Sequence, residues 1–257
     1  MSELFGISAN KEIRLNEQLS VFFSKGKFHP DGWGLACFRK YNVSIEKEPV
    51  SSTSSRYLRQ RLLAGITADH LIAHLRDATR GEIMYENCQP FSLTDCTGRT
   101  WTLAHSGTIF DFDALSRYVP EQDGTSDSER ILFYFIDQVR QVTNRMGKPL
   151  SPEERFRLLD ASIGFMSREN KLILLIYDGE VTYAHTNYRD SLFMLKEEDA
   201  VFFSTTRPDS RPWEPVPLNT LIGCVGGTLV YTGRDHHHEY LNEEEKERLL
   251  YMDYAFL

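Results

Sequence analysis

Residues 1–10 read MSELFGISAN, an apolar run that opens a strand at residue 3, almost directly behind the initiator methionine. A strand there can simply tie the terminus into a sheet, with Ser2 as an ordinary small second residue. A second reading carries chemistry. If Met1 is removed, residue 2 becomes the N-terminus, and its own α-amine can act as base for its side chain. The rest of the chain decides between the two, through what it brings to the end of this strand.

At 257 residues the chain can bury a sizeable core, as one large domain or two small ones. Its hydrophobic share of 41% and charged share of 26% are those of a globular protein. A formal net charge of −8, with no dense Lys/Arg cluster, argues against nucleic acid as a partner. No apolar run reaches membrane-spanning length, and the N-terminus lacks the basic-then-apolar pattern of a signal peptide, so a cytoplasmic protein is expected. Cys37, Cys88, Cys96 and Cys224 form no CxxC pair, which disfavours both zinc and a disulfide framework. The triplet His236, His237 and His238 sits in a polar stretch and is not read as a metal site.

Outward from the first strand, residues 11–25 carry Leu15, Leu19, Phe22 and Phe23 at helical spacing, with Gly26 to end the helix. GWGLACFRK (32–40) and VSIEKEPV (43–50) read as a hairpin, and SRYLRQRLLAG (55–65) as a short helix stopped by Gly65. HLIAHLRDAT (70–79) and RTWTLAHSGTI (99–109) read as strands joined by an irregular loop. Two helices are signed by capping boxes, Ser126 with Glu129 and Ser151 with Glu154, the second with Pro152 at its first position. From Lys171 on, KLILLIYDGEVTYAH turns at Asp178-Gly179, and SLFMLK, AVFFSTT and LIGCVGGTLVYTG follow as strands. The closing NEEEKERLLYMDYAFL (242–257) reads as a charged helix that docks by its apolar end. No low-complexity linker or repeat divides the chain, so one domain over 1–257 is expected. Strands, then two consecutive helices, then more strands fit an α+β protein of antiparallel sheets covered by helices, for which two stacked sheets between helix layers is one solution.

Four stretches place polar or glycine residues at strand ends. FHPDGWG (28–34) reads by itself as a turn feeding a strand. AHLRDATRG (73–81) puts Arg76, Thr79 and Arg80 at the end of an apolar strand, where a guanidinium can grip a carboxylate through two parallel hydrogen bonds or form a structural ion pair. LAHSGTI (103–109) runs into Ser106-Gly107, either a plain turn or a place where a backbone N–H meets a ligand oxygen. Asp127 stands in the first turn of a helix, where the helix dipole favours an acid and where, facing a cleft, it can hold an ammonium.

In this order, ELFGISAN, HPDGWG, HLRDATRG, ENCQPF, AHSGTI and TSDSE, continuing through VFFSTTRP, Trp213 and NTLIGCVGGTLVYTG, resemble the glutaminase domain of class II glutamine amidotransferases, in their stand-alone form without a synthase domain. The resemblance implies the N-terminal-nucleophile hydrolase fold, a four-layer αββα sandwich of two antiparallel sheets. It implies that residue 2 attacks the γ-amide carbonyl of glutamine or another γ-glutamyl compound with its freed α-amine as base, a group that titrates near pH 8. It further implies that Arg76, aided by Thr79 and Arg80, holds the substrate α-carboxylate, that Asp127 holds the α-ammonium, and that positions 106 and 107 form the oxyanion site. No cofactor or metal is implied, and a separate synthase subunit is a candidate partner.

Two departures from that pattern touch the chemistry. The family nucleophile is cysteine, partly ionised near neutral pH, whereas Ser2 depends wholly on its base. Ser106 stands where the family has asparagine, and loss of one oxyanion donor costs about 3 to 4 kcal/mol in the transition state. Three explanations account for Ser2: an engineered replacement of a natural cysteine, a natural serine nucleophile, or a relative that binds without turnover. With Met1 still present, Ser2 has no free amine. Gln89 replaces a histidine and is assigned to loop support. The expected activity is therefore hydrolysis of a γ-glutamyl amide, weak or absent in the Ser2 form. A catalytically silent γ-glutamyl-binding or regulatory protein and a hydrolase of larger γ-glutamyl peptides or amines are the alternatives.

Overall fold

The computed structural model describes residues 1–39, 42–78 and 81–241. Its strands are β1 (Glu3–Arg14), β2 (Trp33–Arg39), β3 (Asn42–Glu48), β4 (Thr67–Leu75), β5 (Phe91–Thr94), β6 (Thr100–Thr108), β7 (Lys171–Tyr177), β8 (Thr182–Thr186), β9 (Phe193–Lys196), β10 (Ala200–Ser204), β11 (Glu214–Pro215), β12 (Ile222–Val225) and β13 (Thr228–Thr232). Its helices are α1 (Asn16–Ser24), α2 (Arg56–Ala64), α3 (Asp127–Met146) and α4 (Pro152–Met166).

The strands pair antiparallel into two sheets, ordered β11-β9-β10-β1-β4-β2-β3 and β13-β12-β8-β7-β6-β5. Side chains alternate between the two faces of each strand, and the burial follows. On β1, Phe5 and Ile7 join Phe22, Phe23 and Trp33 in a core under α1 and α2. Leu4 points the other way, into a second core with Ile72, Leu175 and Phe203 between the sheets. On the far side of the second sheet, Trp101, Leu103 and Tyr183 pack against Leu132, Phe135 and Leu159 of α3 and α4. Three apolar layers thus separate helices, sheet, sheet and helices. This is the αββα sandwich, and no described helix is long and apolar enough to cross a membrane.

Several local readings are corrected. The first helix does not start at residue 11: β1 runs on to Arg14, past an irregularity that shifts its register on β4 between Ser8 and Ile13. The stripe Leu15, Leu19, Phe22 and Phe23 is buried as the spacing requires, but Gly26 lies inside a 3-10 turn (Lys25–Lys27). A Cβ at Gly26 would lie 1.9 Å from Ser52 Oγ, so glycine is there for close approach and not to end a helix. The loop between β4 and β6 contains β5, paired to β6. Of the two capping boxes, Ser151 and Glu154 complete theirs. The Ser126 box is half made. Ser126 accepts from the Glu129 N–H, but the Glu129 carboxylate turns to the N–H groups of Asp123 and Gly124. The C-terminal segment 242–257 lies outside the described residues.

Candidate active site

Register puts the functional residues at one end of the sandwich. Glu3 pairs with Leu75, so Ser2 stands beside the residues that follow β4. The Asp77 N–H donates to Ser2 Oγ at 3.1 Å, and Ser2 Oγ donates to Asp77 O at 3.3 Å. From the opposite sheet, Ser106 Oγ donates to the Ser2 carbonyl at 2.7 Å. The ammonium of Met1 is paired with the Asp77 carboxylate. Residue 2 is therefore held from both sheets at once.

Arg76 follows β4 and is buried. The FHPDGWG loop frames it: Arg76 N–H donates to Gly32 O at 2.8 Å, Asp31 N–H donates to Arg76 O at 3.3 Å, and Asp31 Oδ2 accepts from Ala78 N–H at 2.8 Å. Gly32 is required here, with φ +143° and a would-be Cβ only 2.7 Å from Cys88 Sγ. The Arg76 guanidinium reaches Gly81 O through Nη2 at 3.1 Å. Burial pulls it below its ordinary pKa, with Asp31 opposing that shift. Thr79 and Arg80 lie outside the described residues.

Asp127 is buried at the first position of α3, and its Oδ2 accepts from Ile109 N–H at 2.9 Å, just past the end of β6. Beside it His105 is fully enclosed. Lys171 O only accepts, so His105 Nε2 donates to it at 3.1 Å and the neutral ring's Nδ1 accepts from Ser128 Oγ at 2.9 Å. Burial lowers the His105 pKa, although the Asp127 charge pulls the other way. The Gln89 side chain imitates a neighbouring strand, accepting from His105 N–H at 2.7 Å and donating to His105 O at 3.1 Å. Gly107 admits nothing larger: a Cβ there would lie 2.0 Å from Lys171 O.

A cavity of about 310 Å³ joins these groups, lined by Ser2, Arg76, Gly107 and Asp127. Ser106 is not part of that lining: it is fully buried, with its hydroxyl on the Ser2 carbonyl.

The family comparison decides what this arrangement belongs to. A model of the class II glutamine amidotransferases matches residues 1–206. The chain is a class II glutamine amidotransferase family member. An uncharacterised protein of Methanocaldococcus jannaschii is 30% identical over 191 residues, 74% of this chain and 52% of that protein, so the chain spans about half that relative's length. YafJ of Escherichia coli, whose own assignment as a glutamine amidotransferase is provisional, is 27% identical over 73% of this chain and 74% of its length. Among solved structures, that of a predicted glutamine amidotransferase from Pseudomonas aeruginosa superposes with a TM-score of 0.59 at 20% identity, covering 89% of this chain and 99% of that one. The phosphoribosylpyrophosphate amidotransferase of Bacillus subtilis gives 0.64 at 16% identity, over 91% of this chain and 49% of that enzyme. At such identities the superpositions establish the fold alone, one shared with these amidotransferase structures.

In this family member three further groups reach the cavity. Asp77 sits directly behind Arg76 in HLRDATRG. Lys171 and Tyr188 also line the wall, with Lys171 Nζ 4.1 Å from the Tyr188 ring centroid. The available sequence signal was a lysine opening the apolar run KLILLIY, and the fold leaves it only 3% exposed. Elsewhere, His236 Nε2 meets His185 Nε2 at 3.0 Å, and among the described residues no group of three or more His, Cys, Asp or Glu has metal-binding geometry.

Proposed function

We propose that the protein hydrolyses the γ-amide of glutamine or a related γ-glutamyl amide through a covalent γ-glutamyl intermediate on residue 2. What supports this above all is that Ser2, Arg76 and Asp127 line one cavity. A guanidinium and a carboxylate on its walls match the two charges of a free amino-acid head. In this reading Ser2 Oγ attacks the amide carbon while its proton passes to the α-amine exposed by Met1 removal. The carbonyl π pair moves onto oxygen, next to the Gly107 backbone. The protonated amine then gives its proton to the leaving nitrogen as the carbon–nitrogen bond breaks. Water repeats the sequence on the ester and releases glutamate.

The reaction is slow in this form. A serine hydroxyl is essentially un-ionised, and the Ser106 proton is directed at the Ser2 carbonyl, away from a developing oxyanion. Relative to an asparagine at position 106, the missing donor costs about 10²- to 10³-fold in rate. That same hydrogen bond favours a second reading, a silent γ-glutamyl-binding protein. Ser2→Cys, confirmed by mass to begin at residue 2, should release glutamate from glutamine. Tight glutamine binding with no release would favour the silent binder, and turnover of γ-glutamyl peptides over glutamine would favour the larger leaving group. A cytoplasmic setting and a separate synthase subunit that takes the ammonia remain part of the proposal.

A further inference from the structure

The Asp77 contacts reach further than the family pattern. Its backbone N–H and carbonyl both engage Ser2 Oγ, while its carboxylate pairs with the chain's terminal ammonium one residue away. The geometry points to Asp77 as the group that holds and orients the α-amine of residue 2 once Met1 is gone, completing a relay of nucleophile, amine base and carboxylate. This rests on the N-terminal-nucleophile reading above and adds a positioning residue to it.

The reasoning is that of any base needing an orienter: an amine free to rotate presents its lone pair to the nucleophile only part of the time. Consecutive backbone nitrogens are separated by one residue, about 3 to 4 Å. The side chain that reaches the Met1 nitrogen therefore needs only a small rotation to reach that of Ser2, whose oxygen the same residue's backbone already holds. During attack the amine takes the Ser2 Oγ proton and becomes ammonium, a positive charge formed beside the Asp77 carboxylate. The other charged groups near this end have separate engagements. Arg76 reaches Gly81 O, the Asp31 carboxylate is on Ala78 N–H, Glu3 is bound by Lys25 and His29, and Asp127 accepts from Ile109 N–H. His105 and Lys171 line the cavity from the second sheet, with His105 held between Ser128 and the Lys171 carbonyl. The Asp77 pair is 39% exposed on both sides, so salt weakens it.

The test uses chains shown by intact mass to begin at Ser2: parent, Asp77→Asn and Asp77→Glu. Trace acylation of the α-amine by acetic anhydride, followed across pH by mass spectrometry of the N-terminal peptide, reports the amine's titration without any turnover. Removing a carboxylate in contact makes the amine more acidic, so Asp77→Asn should move the midpoint down by about one pH unit, tenfold in acidity, and Asp77→Glu should restore most of it. In the Ser2→Cys background the acid limb of kcat/KM for glutamine should move the same way, which a purely structural role would not produce. An unmoved acylation midpoint in Asp77→Asn overturns the assignment. A moved midpoint together with Ser2→Cys chains that never release glutamate would leave Asp77 on the amine and remove the hydrolase reading instead.

Discussion

Replacing Gly107 by alanine tests the packing on which the cavity wall depends. The added Cβ would lie 2.0 Å from Lys171 O and 2.6 Å from His105 Nε2, against a floor of 3.0 Å for real contacts. Strands β6 and β7 would have to part by about 1 Å at a point where interiors do not compress. Overpacking of this kind costs about 3 kcal/mol, and loss of the His105 to Lys171 O hydrogen bond adds about 1 kcal/mol. At this chain length about 4 kcal/mol lowers Tm by roughly 8 to 16 °C, measurable by calorimetry. Gly98→Ala is the control. Nothing lies within 4 Å of its added Cβ, but its φ is +84°, so it should cost only about 1 kcal/mol of backbone strain. A Gly107→Ala protein that melts within a few degrees of the parent and still binds glutamine would refute the close approach of the two strands.

Other outcomes follow from the same structure. Asp127→Asn should weaken glutamine binding by calorimetry about 10- to 100-fold, the worth of a charge-assisted hydrogen bond, and Arg76→Lys should do so less severely by giving up a two-pronged grip. Gln89→Ala strands the His105 N–H and C=O and should cost about 2 to 4 kcal/mol in urea unfolding. Arg155→Met takes the guanidinium at 2.6 Å from the fully buried Asp178 and leaves it only the more distant Arg99 at 3.8 Å, and should cost about 3 kcal/mol. Burial brings His74 down to about 3, chiefly by desolvation, with Arg76 adding repulsion. The unfolded chain then binds the extra proton below about pH 6.5, so this contribution is complete above that pH. It is lost at up to about 1.4 kcal/mol per pH unit as pH falls towards 3, and Tm measured from pH 7.5 to 4 should fall accordingly.

The architecture was legible because strand alternation and helix caps are local signals. The stripe Leu15, Leu19, Phe22 and Phe23, the Ser151 box and the Asp178-Gly179 turn each carry their own chemistry within a few residues. Errors arose where a distant segment decides. Lys11 to Arg14 extend β1 because Thr67 and Ala68 of β4 lie alongside, and Glu129 leaves its capping box because the loop at Asp123 and Gly124 needs an acceptor. The same holds at the cavity. FHPDGWG reads as a turn in sequence, and only the fold shows Asp31 and Gly32 gripping the backbone around Arg76. Ser106 was visible as a departure from the family, but the destination of its proton, the Ser2 carbonyl, depends on how the two sheets meet.

The most direct test is a crystal structure of the chain beginning at Ser2 with L-glutamine bound. The account predicts the α-carboxylate on the Arg76 guanidinium, the α-ammonium on the Asp127 carboxylate, and the γ-amide carbon facing Ser2 Oγ. Glutamine seated elsewhere, or in this cavity with its head turned away from both charges, would contradict it.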